Sequence, residues 1–444
     1  MSGERVLEAL AARPGGRQLL ALCEGREDVA LVGGAVRDLL LGREPRELDV
    51  VLAGEAGSLA GQLAGALGGT VRAHERFGTA LVEWREGGVG RRRRIDIAAR
   101  RAESYPAPGA LPQVREGSLE QDLARRDFTV NAIAVVLGGP SRGALHGAKH
   151  AVDDLAAGRL RALYERSFVD DPTRLWRLAR YQARLAFDVE PHTAELAAAA
   201  VAAATPASVS RARIGSELRL ALGEADAPGA LDAIERWGLL RALHPQLRFD
   251  AALARAALAL LGAADGDGDP DAEPDGASRS PRAQLLLLAA LLASILGAGD
   301  VEVEVAGGVY TLLNDLEFPA GDRDLAMRAA SGARAGAERL ARALAPSQIY
   351  AAVERMSPEG VALAGAWGQT RDRAPRASAA AGEWLSRLCG VGLLITGEDL
   401  LAAGVPEGPE IRRRLESALL RKLDGELDGD GREAELSAAL ESAR

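Results

Sequence analysis

The amino-acid sequence predicts an α+β chain, with a mixed head over its first third and helices from there to the end. Three observations carry this. Short β-like runs alternate with helical ones over residues 1–140, strand signals vanish after Gly147, and a polar Gly/Pro/Asp-rich run at 262–282 interrupts the helical remainder. In the head, Val29–Val32 reads as a strand that ends in Gly33 and Gly34, with a helical run over Arg37–Leu41. Leu48–Leu52 is a strand candidate, Ser58–Leu67 a helix, and Val71–His74, Thr79–Trp84 and Arg94–Ala98 are further strands. Residues 122–133 read as a helix with Phe128, Ala132 and Ile133 as its core contacts. Beyond Gly147 the segments Asp153–Tyr164, Pro172–Leu185, Pro191–Ala204 and Arg211–Leu222 have helical periodicity. The longest uncharged stretch, Ala283–Gly299, falls short of the ~20 residues of a membrane span and reads as a buried helix.

Composition narrows the chemistry. The 444 residues carry 63 acidic and 54 basic side chains, a net charge of −9 and only 4% aromatics. The only lysines are Lys149 and Lys422, so nearly every cation is an arginine. Neither lysine sits in a Gly-Lys-Ser/Thr context, which excludes a P-loop, and lysine Schiff-base chemistry has almost no candidates. Cys23 and Cys389 alone cannot build a CxxC zinc site or a disulfide framework. The five histidines, His74, His146, His150, His192 and His244, form neither HExxH nor an adjacent His-Asp pair. The first residues are charged and amphipathic, unlike a signal peptide. The expected compartment is the cytoplasm, with no membrane and no obligate protein partner.

At roughly 150 residues per domain, about three domains are expected. Residues 262–282 cannot bury a core and are expected to form a disordered insertion. Asp265, Asp267 and Asp269 imitate the start of an EF-hand, but Pro270 replaces the turn glycine and Gly276 the bidentate glutamate. The net acidity does not favour a polyanion partner, although Arg91–Arg94 and Arg412–Arg414 leave local basic surfaces open.

Four segments carry chemistry. In residues 31–54, two glycines close a β-like run and a helix opens with Arg37 and Asp38. Glycine lets the backbone approach a phosphate, and a helix start offers unpaired N–H groups. Glu47 and Asp49 are spaced i, i+2 on the next strand, so both carboxylates leave one face. Convergent carboxylates beside a phosphate cradle suit Mg²⁺-assisted nucleotidyl transfer, while the same residues also fit a plain βα turn with an acidic strand edge. Asp96, between inward-facing Ile95 and Ile97, is a candidate third carboxylate. Arg125, Arg126 and Asp127 follow, with Asn131 four residues after Asp127. In residues 170–187, Asp171 and Pro172 make a favourable helix start, and Arg174, Arg177 and Arg180 spiral along the helix behind it. Asp171 to Arg180 rises about 13–14 Å at ~1.5 Å per residue, comparable to a nucleotide from base edge to γ-phosphate. A salt-bridged solvated helix is the competing reading.

Taken together and in this order, GGAVRD, the carboxylate pair, IDIAAR, RRDFTVNA and DDPTRLWRLARY resemble the class II tRNA nucleotidyltransferase and bacterial poly(A) polymerase family. FGTA (77–80), PGALPQV (108–114), SVSRARIGSELRLAL (208–222) and the stretch 395–427 extend the resemblance, which is thin through 248–390. It implies a polymerase-beta-like nucleotidyltransferase head (1–140), a helical neck that recognises the nucleotide base (141–247), a helical body (248–370) and a tRNA-binding tail (371–444). It also implies addition of CMP and/or AMP from CTP and ATP to the 3′ end of tRNA, on the acceptor-stem side, with Mg²⁺ as cofactor. Glu47 and Asp49 would hold the metal, with Asp96 beside them in the catalytic set. Gly33, Gly34 and Arg37 would meet the incoming nucleotide, and Arg126 its phosphate or sugar, with Asp127 and Asn131 in the same binding set. Asp171 and Arg174 would read the base edge, and Arg177 and Arg180 the triphosphate.

Two positions depart from the family pattern. Glu47 stands where Asp is the rule, and Ala99 where threonine is common. A glutamate reaches one methylene further, so a working but slower enzyme is expected. A poly(A) polymerase acting on broader RNA and an inactive tRNA-binding relative are the alternatives.

Overall fold

The computed structural model describes residues 2–74, 78–88, 90–264, 280–297, 302–427, 429 and 431–441. Contacts gather the chain into two compact units, Met1–Glu217 with Arg236–Ala242, and Leu218–Glu235 with Leu243–Arg444.

The first unit begins with helices α1 (Gly3–Ala11) and α2 (Gly16–Cys23). Nine strands follow: β1 (Val29–Val32), β2 (Leu48–Leu52), β3 (Thr70–His74), β4 (Thr79–Arg85), β5 (Arg92–Ala99), β6 (Arg101–Ser104), β7 (Gln113–Glu116), β8 (Ile133–Val136) and β9 (Leu145–Gly147). Helices α3 (Gly34–Leu40), α4 (Ala56–Leu67) and α5 (Leu119–Ala124) lie between them. Seven strands form one sheet in the order β3-β4-β5-β2-β1-β8-β9, while β6 and β7 pair as a separate hairpin. Of the sheet's pairings only β2 with β5 is parallel.

Side-chain alternation settles the two faces of this sheet. Leu48, Val50, Ile95 and Ile97 are buried on one side. Val51 points the other way, and with Ala30, Val32, Ala132 and Ala134 it packs beneath Leu119 and Leu123 of α5. Asp49 is two residues from Val51 and shares its face. Helix α5 therefore lies on the acidic side of the sheet and delivers Arg125–Asp127 from its C-terminal end.

The expected strands and helices of the head are present, with one correction. Residues 122–133 are not a single helix: α5 ends at Ala124, Phe128 is extended and bridges Ala162, Thr129–Asn131 make a 3₁₀ turn, and β8 starts at Ile133. The cause is local. The Asp127 carboxylate accepts from the Phe128 amide at 2.8 Å and the Asn131 side chain at 2.9 Å, a turn that competes with helix. The run Ile133-Ala-Val-Val that follows favours strand.

The same unit continues through α6 (Ala151–Ala157), α7 (Ser167–Asp170), α8 (Thr173–Leu185), α9 (Pro191–Ala202) and the first part of α10 (Arg211–Leu222), as far as Glu217. The helix expected over Asp153–Tyr164 stops at Gly158, which takes the left-handed φ of 64°. Strand signals do not vanish either, since β10 (Arg159–Leu160) and β11 (Asp188–Val189) pair in parallel. Two residues are too few to register as a period.

The second unit takes the end of α10 from Leu218 and α11 (Ala227–Arg236) up to Glu235; α12 (Leu239–Leu243) belongs to the first unit as far as Ala242. Helices α13 (Ala251–Ala264), α14 (Pro281–Leu296), α15 (Val303–Asp315), α16 (Ala320–Arg342), α17 (Pro346–Val353), α18 (Pro358–Thr370) and α19 (Pro375–Ser386) all lie in the second. It ends with α20 (Gly397–Ala402), α21 (Pro409–Asp424) and α22 (Arg432–Glu441). The expected buried helix is α14, whose Leu286–Ala293 are all buried. Alanines on α16 and α18 fill much of the surrounding core. Of the run 262–282, residues 262–264 end α13 and 281–282 begin α14; residues 265–279, with the acidic triplet, lie outside the described residues, as does Phe77 of FGTA. The last three helices share a core of Ile395, Leu400, Val405, Ala418, Ala438 and Ala439. Among the described residues no helix is long and apolar enough to cross a membrane.

Neither arginine run is a bare basic surface. Arg92, Arg93 and Arg94 pair with Glu83, Glu86 and Glu47. Arg412 pairs with Glu416, and Arg413 and Arg414 both pair with Glu410.

Candidate active site

The parallel register of β2 and β5 sets Asp49 directly opposite Asp96. Glu47 stands just before β2, and ligand oxygens of all three carboxylates lie within 4.8 Å of one another. Burial raises the Asp49 pKa above the usual carboxylate range, Arg126 and Arg37 oppose the shift, and Asp96 adds to it. Burial likewise raises Asp96, against Arg94 and with Glu83. Glu47 forms an ion pair with Arg94. Among the described residues, neither Asp49 nor Asp96 has a hydrogen-bond or ion-pair partner. Two adjacent carboxylates partly withdrawn from water are costly unless a cation joins them. Three hard oxygen donors in this arrangement can hold a divalent metal ion.

The glycine turn lies beside this group. Gly33 has φ 73°, and a Cβ there would run into the Arg126 guanidinium. Glycine is required both for its conformation and for the close approach. Gly33→Ala is expected to destabilise the fold by about 1–3 kcal/mol and to displace Arg126, read as a lower thermal midpoint with reduced nucleotide affinity. Arg126 donates to Asp122 at 3.0 Å, while its buried Nε finds no acceptor among the described residues.

Arg37 is not at the surface of the turn. It is 1% exposed, donates to Asp38 at 2.8 Å and Asn131 at 2.5 Å, and lies over the Tyr181 ring at 5.4 Å. Arg184 of α8 reaches the other Asp38 oxygen at 3.1 Å. Burial pushes the Asp127 carboxyl upward, but Arg177, Asn131 and Arg174 outweigh it and leave its pKa below the usual range. Its stabilising contribution is thus complete above an unfolded pKa of about 3.9 and is lost as pH falls through the lower folded value. Asp127→Asn is expected to lower the unfolding free energy measured by urea titration at pH 7 by about 1–3 kcal/mol, with the gap from the parent closing below about pH 4.

The α8 segment divides its charges by partner. Asp171 accepts from the Thr173 hydroxyl at 2.6 Å and from Arg213 of α10 at 2.8 Å. Arg174 is buried between Tyr164 and Tyr105 and donates to Tyr164, Ser167 and the Arg125 carbonyl. Burial, against the pull of Arg174, pushes the Tyr105 phenol up to about 12. Arg177 and Arg180 converge on Glu217, at 2.7 and 3.3 Å. Along this helix Arg174 thus turns to the tyrosines and Arg177 and Arg180 to α10, with Arg177 left 40% exposed.

All thirteen candidate residues fall in the first unit, and two clusters hold most of them: the carboxylates with the glycine turn, and the arginines of α8 with Asp127 and Asn131. The sequence reading missed Arg213, Glu217, Asp38 and the two tyrosines as partners. Only Glu217, an acidic residue among the apolar positions of α10, left a trace that periodicity could have shown. The loop before β7 is seated by Gly109, whose amide faces the Val169 and Asp170 carbonyls and whose Cβ position is filled by Ser208.

Residues 29–161 match the Poly A polymerase head domain. The A-adding tRNA nucleotidyltransferase of Geobacter sulfurreducens is 33% identical over 404 residues, covering 90% of this chain and 43% of the relative. That of Halalkalibacterium halodurans is 42% identical over 221 residues, 49% of this chain and 50% of the relative. The chain therefore spans half or less of the length of these two relatives. A solved CCA-adding enzyme in an apo form superposes with a TM-score of 0.77 at 25% identity, covering 100% of this chain and 99% of that one. Residues 29–161 thus carry the Poly A polymerase head domain, and the chain as a whole is similar to tRNA nucleotidyltransferases and CCA-adding enzymes.

Proposed function

We propose that the chain is a Mg²⁺-dependent tRNA nucleotidyltransferase, transferring CMP and/or AMP from CTP and ATP to the 3′ end of tRNA with release of pyrophosphate. The observation that carries this is the group Glu47, Asp49 and Asp96 beside the Gly33-Gly34 turn. Glu47 and Asp49 hold the ion and Asp96 completes the acidic set. A bound divalent ion neutralises charge on the transferring phosphoryl group and favours ionisation of the attacking hydroxyl. Gly33 and Gly34 let the backbone approach the nucleotide, and Arg37 fixes that turn from below through Asp38 and Asn131. The unsatisfied Arg126 Nε donates to phosphate or sugar. Asp171 and Arg174 read the base edge, while Glu217 keeps Arg177 and Arg180 side by side for the triphosphate.

The tRNA acceptor stem and 3′ end are engaged by the neck (141–247), body (248–370) and tail (371–444) behind the head (1–140). The relative matched along 404 residues is an A-adding enzyme, which favours AMP addition to tRNA already ending in CC. A cytoplasmic location goes with this reading.

The test is incubation of the full chain with tRNAs ending before, within and after CC, with labelled CTP or ATP. Incorporation into tRNA that needs a divalent ion, and that Glu47→Ala abolishes, is the expected result. Incorporation into generic RNA points to poly(A) synthesis, and none at any Mg²⁺ concentration to a tRNA-binding relative. Near-normal turnover of Glu47→Ala refutes Glu47 as a ligand.

A further inference from the structure

One corner of the acidic group is occupied by a cation that the chain supplies itself. Arg94 precedes Asp96 by two residues on β5, so the two side chains leave the same face. The register that sets Leu48 opposite Ile95 brings Glu47 level with Arg94, and the guanidinium forms an ion pair with the Glu47 carboxylate. The other two corners of this square are Asp49 and Asp96, which have no such partner among the described residues.

The Arg94 pair differs from the other charged contacts nearby. Arg94 and Glu47 are 50% and 41% exposed, whereas Arg37 and Asp38 are 2% and 4%. Arg92 and Arg93 are engaged with Glu83 and Glu86. Arg94 alone of these three is paired with a member of the carboxylate group. Its long, half-exposed side chain has solvent into which it can turn.

We propose that Arg94 is a built-in competitor for the divalent cation. In the metal-free chain its guanidinium neutralises Glu47, and cation binding requires that ion pair to open and Arg94 to turn outward. The proposal rests on the metal-centre reading above. An exposed ion pair shifts an equilibrium by up to about fivefold, and removing a positive charge beside a divalent ion adds a similar factor at low salt. Arg94 would thus set how much free cation is needed before the three carboxylates act together.

The measurement is Mn²⁺ binding to the full chain without nucleotide, by electron paramagnetic resonance or titration calorimetry. Parent, Arg94→Ala, Arg94→Lys and Asp49→Asn are compared. Arg94→Ala is expected to bind about threefold to tenfold more tightly than the parent, and Arg94→Lys to stay within about twofold of it. Raising ionic strength should shrink the Arg94→Ala difference, because an exposed pair is screened. Equal or weaker binding by Arg94→Ala, while Asp49→Asn loses the site, overturns the competitor and leaves the metal centre standing. Absence of Mn²⁺ binding in both parent and Arg94→Ala overturns both.

Discussion

An Asp49→Asn chain is expected to incorporate nucleotide at least about a thousandfold more slowly than the parent, yet to melt at a higher temperature in metal-free buffer. The two effects have one origin. Asp49 is withdrawn from water opposite Asp96 and makes no ion pair among the described residues, so that Arg126 and Arg37 offset its burial only in part. Asparagine has the same shape without the charge, so the metal-free fold loses a repulsion and a desolvation cost of about 1 kcal/mol. With Asp49 as the proposed ligand, the reaction would lose a contact to a cation whose stabilisation of transition-state charge is several kcal/mol, and each ~1.4 kcal/mol is tenfold in rate. Single-turnover incorporation and thermal melts in chelator and in Mg²⁺ measure both. The parent's midpoint should rise with Mg²⁺, since a ligand that binds only the native state stabilises it, and the variant's should not. Activity within tenfold of the parent removes Asp49 from the reaction.

Phe128→Ala is the substitution expected to cost the most stability, about 3–5 kcal/mol. Phe128 is 0% exposed; its ring lies 6.4 Å from Phe168 of α7 and edge-on to Tyr181 of α8 at 6.0 Å. Its backbone also bridges Ala162. For a unit of this size the thermal midpoint should fall by roughly 6–20 °C. A second readout separates packing from position. Tyr181 carries the guanidinium of Arg37 on one contact and that of Arg180 on another, at 5.4 and 4.8 Å. Loss of the ring beside Tyr181 should therefore raise the KM for nucleotide even at a temperature where the variant is fully folded. Phe128→Leu should recover most of the stability. A midpoint within about 2 °C of the parent contradicts the packing described.

Much of the head was legible because its signals are local. Val29–Val32 and Leu48–Leu52 are short apolar runs bounded by glycines or charges, and both are strands at the expected places. The error at 122–133 has a physical source: Asp127 and Asn131 meet, as a helical spacing requires, but through a side-chain turn that ends the helix. Periodicity cannot tell these apart, since both bring residues four apart together. The hairpin of β6 and β7 escaped notice because β7 is exposed along its whole length and has no buried face to imprint a pattern.

By itself the sequence determined the order of the chemistry: glycines, carboxylates, then arginines on a helix, in a chain nearly without lysine. It also set two carboxylates, Glu47 and Asp49, two residues apart at the start of a strand, although Glu47 itself stands just before β2. What only the tertiary structure decided is which charges face one another. The partnerships of Asp49 with Asp96, Glu47 with Arg94, and Arg177 and Arg180 with Glu217 join residues 37 or more apart in the chain, on separate elements. Sheet register and helix packing set those distances. A run of arginines that looks like a basic surface in the sequence becomes, once folded, a set of ion pairs, because each guanidinium goes to the nearest carboxylate that the fold provides.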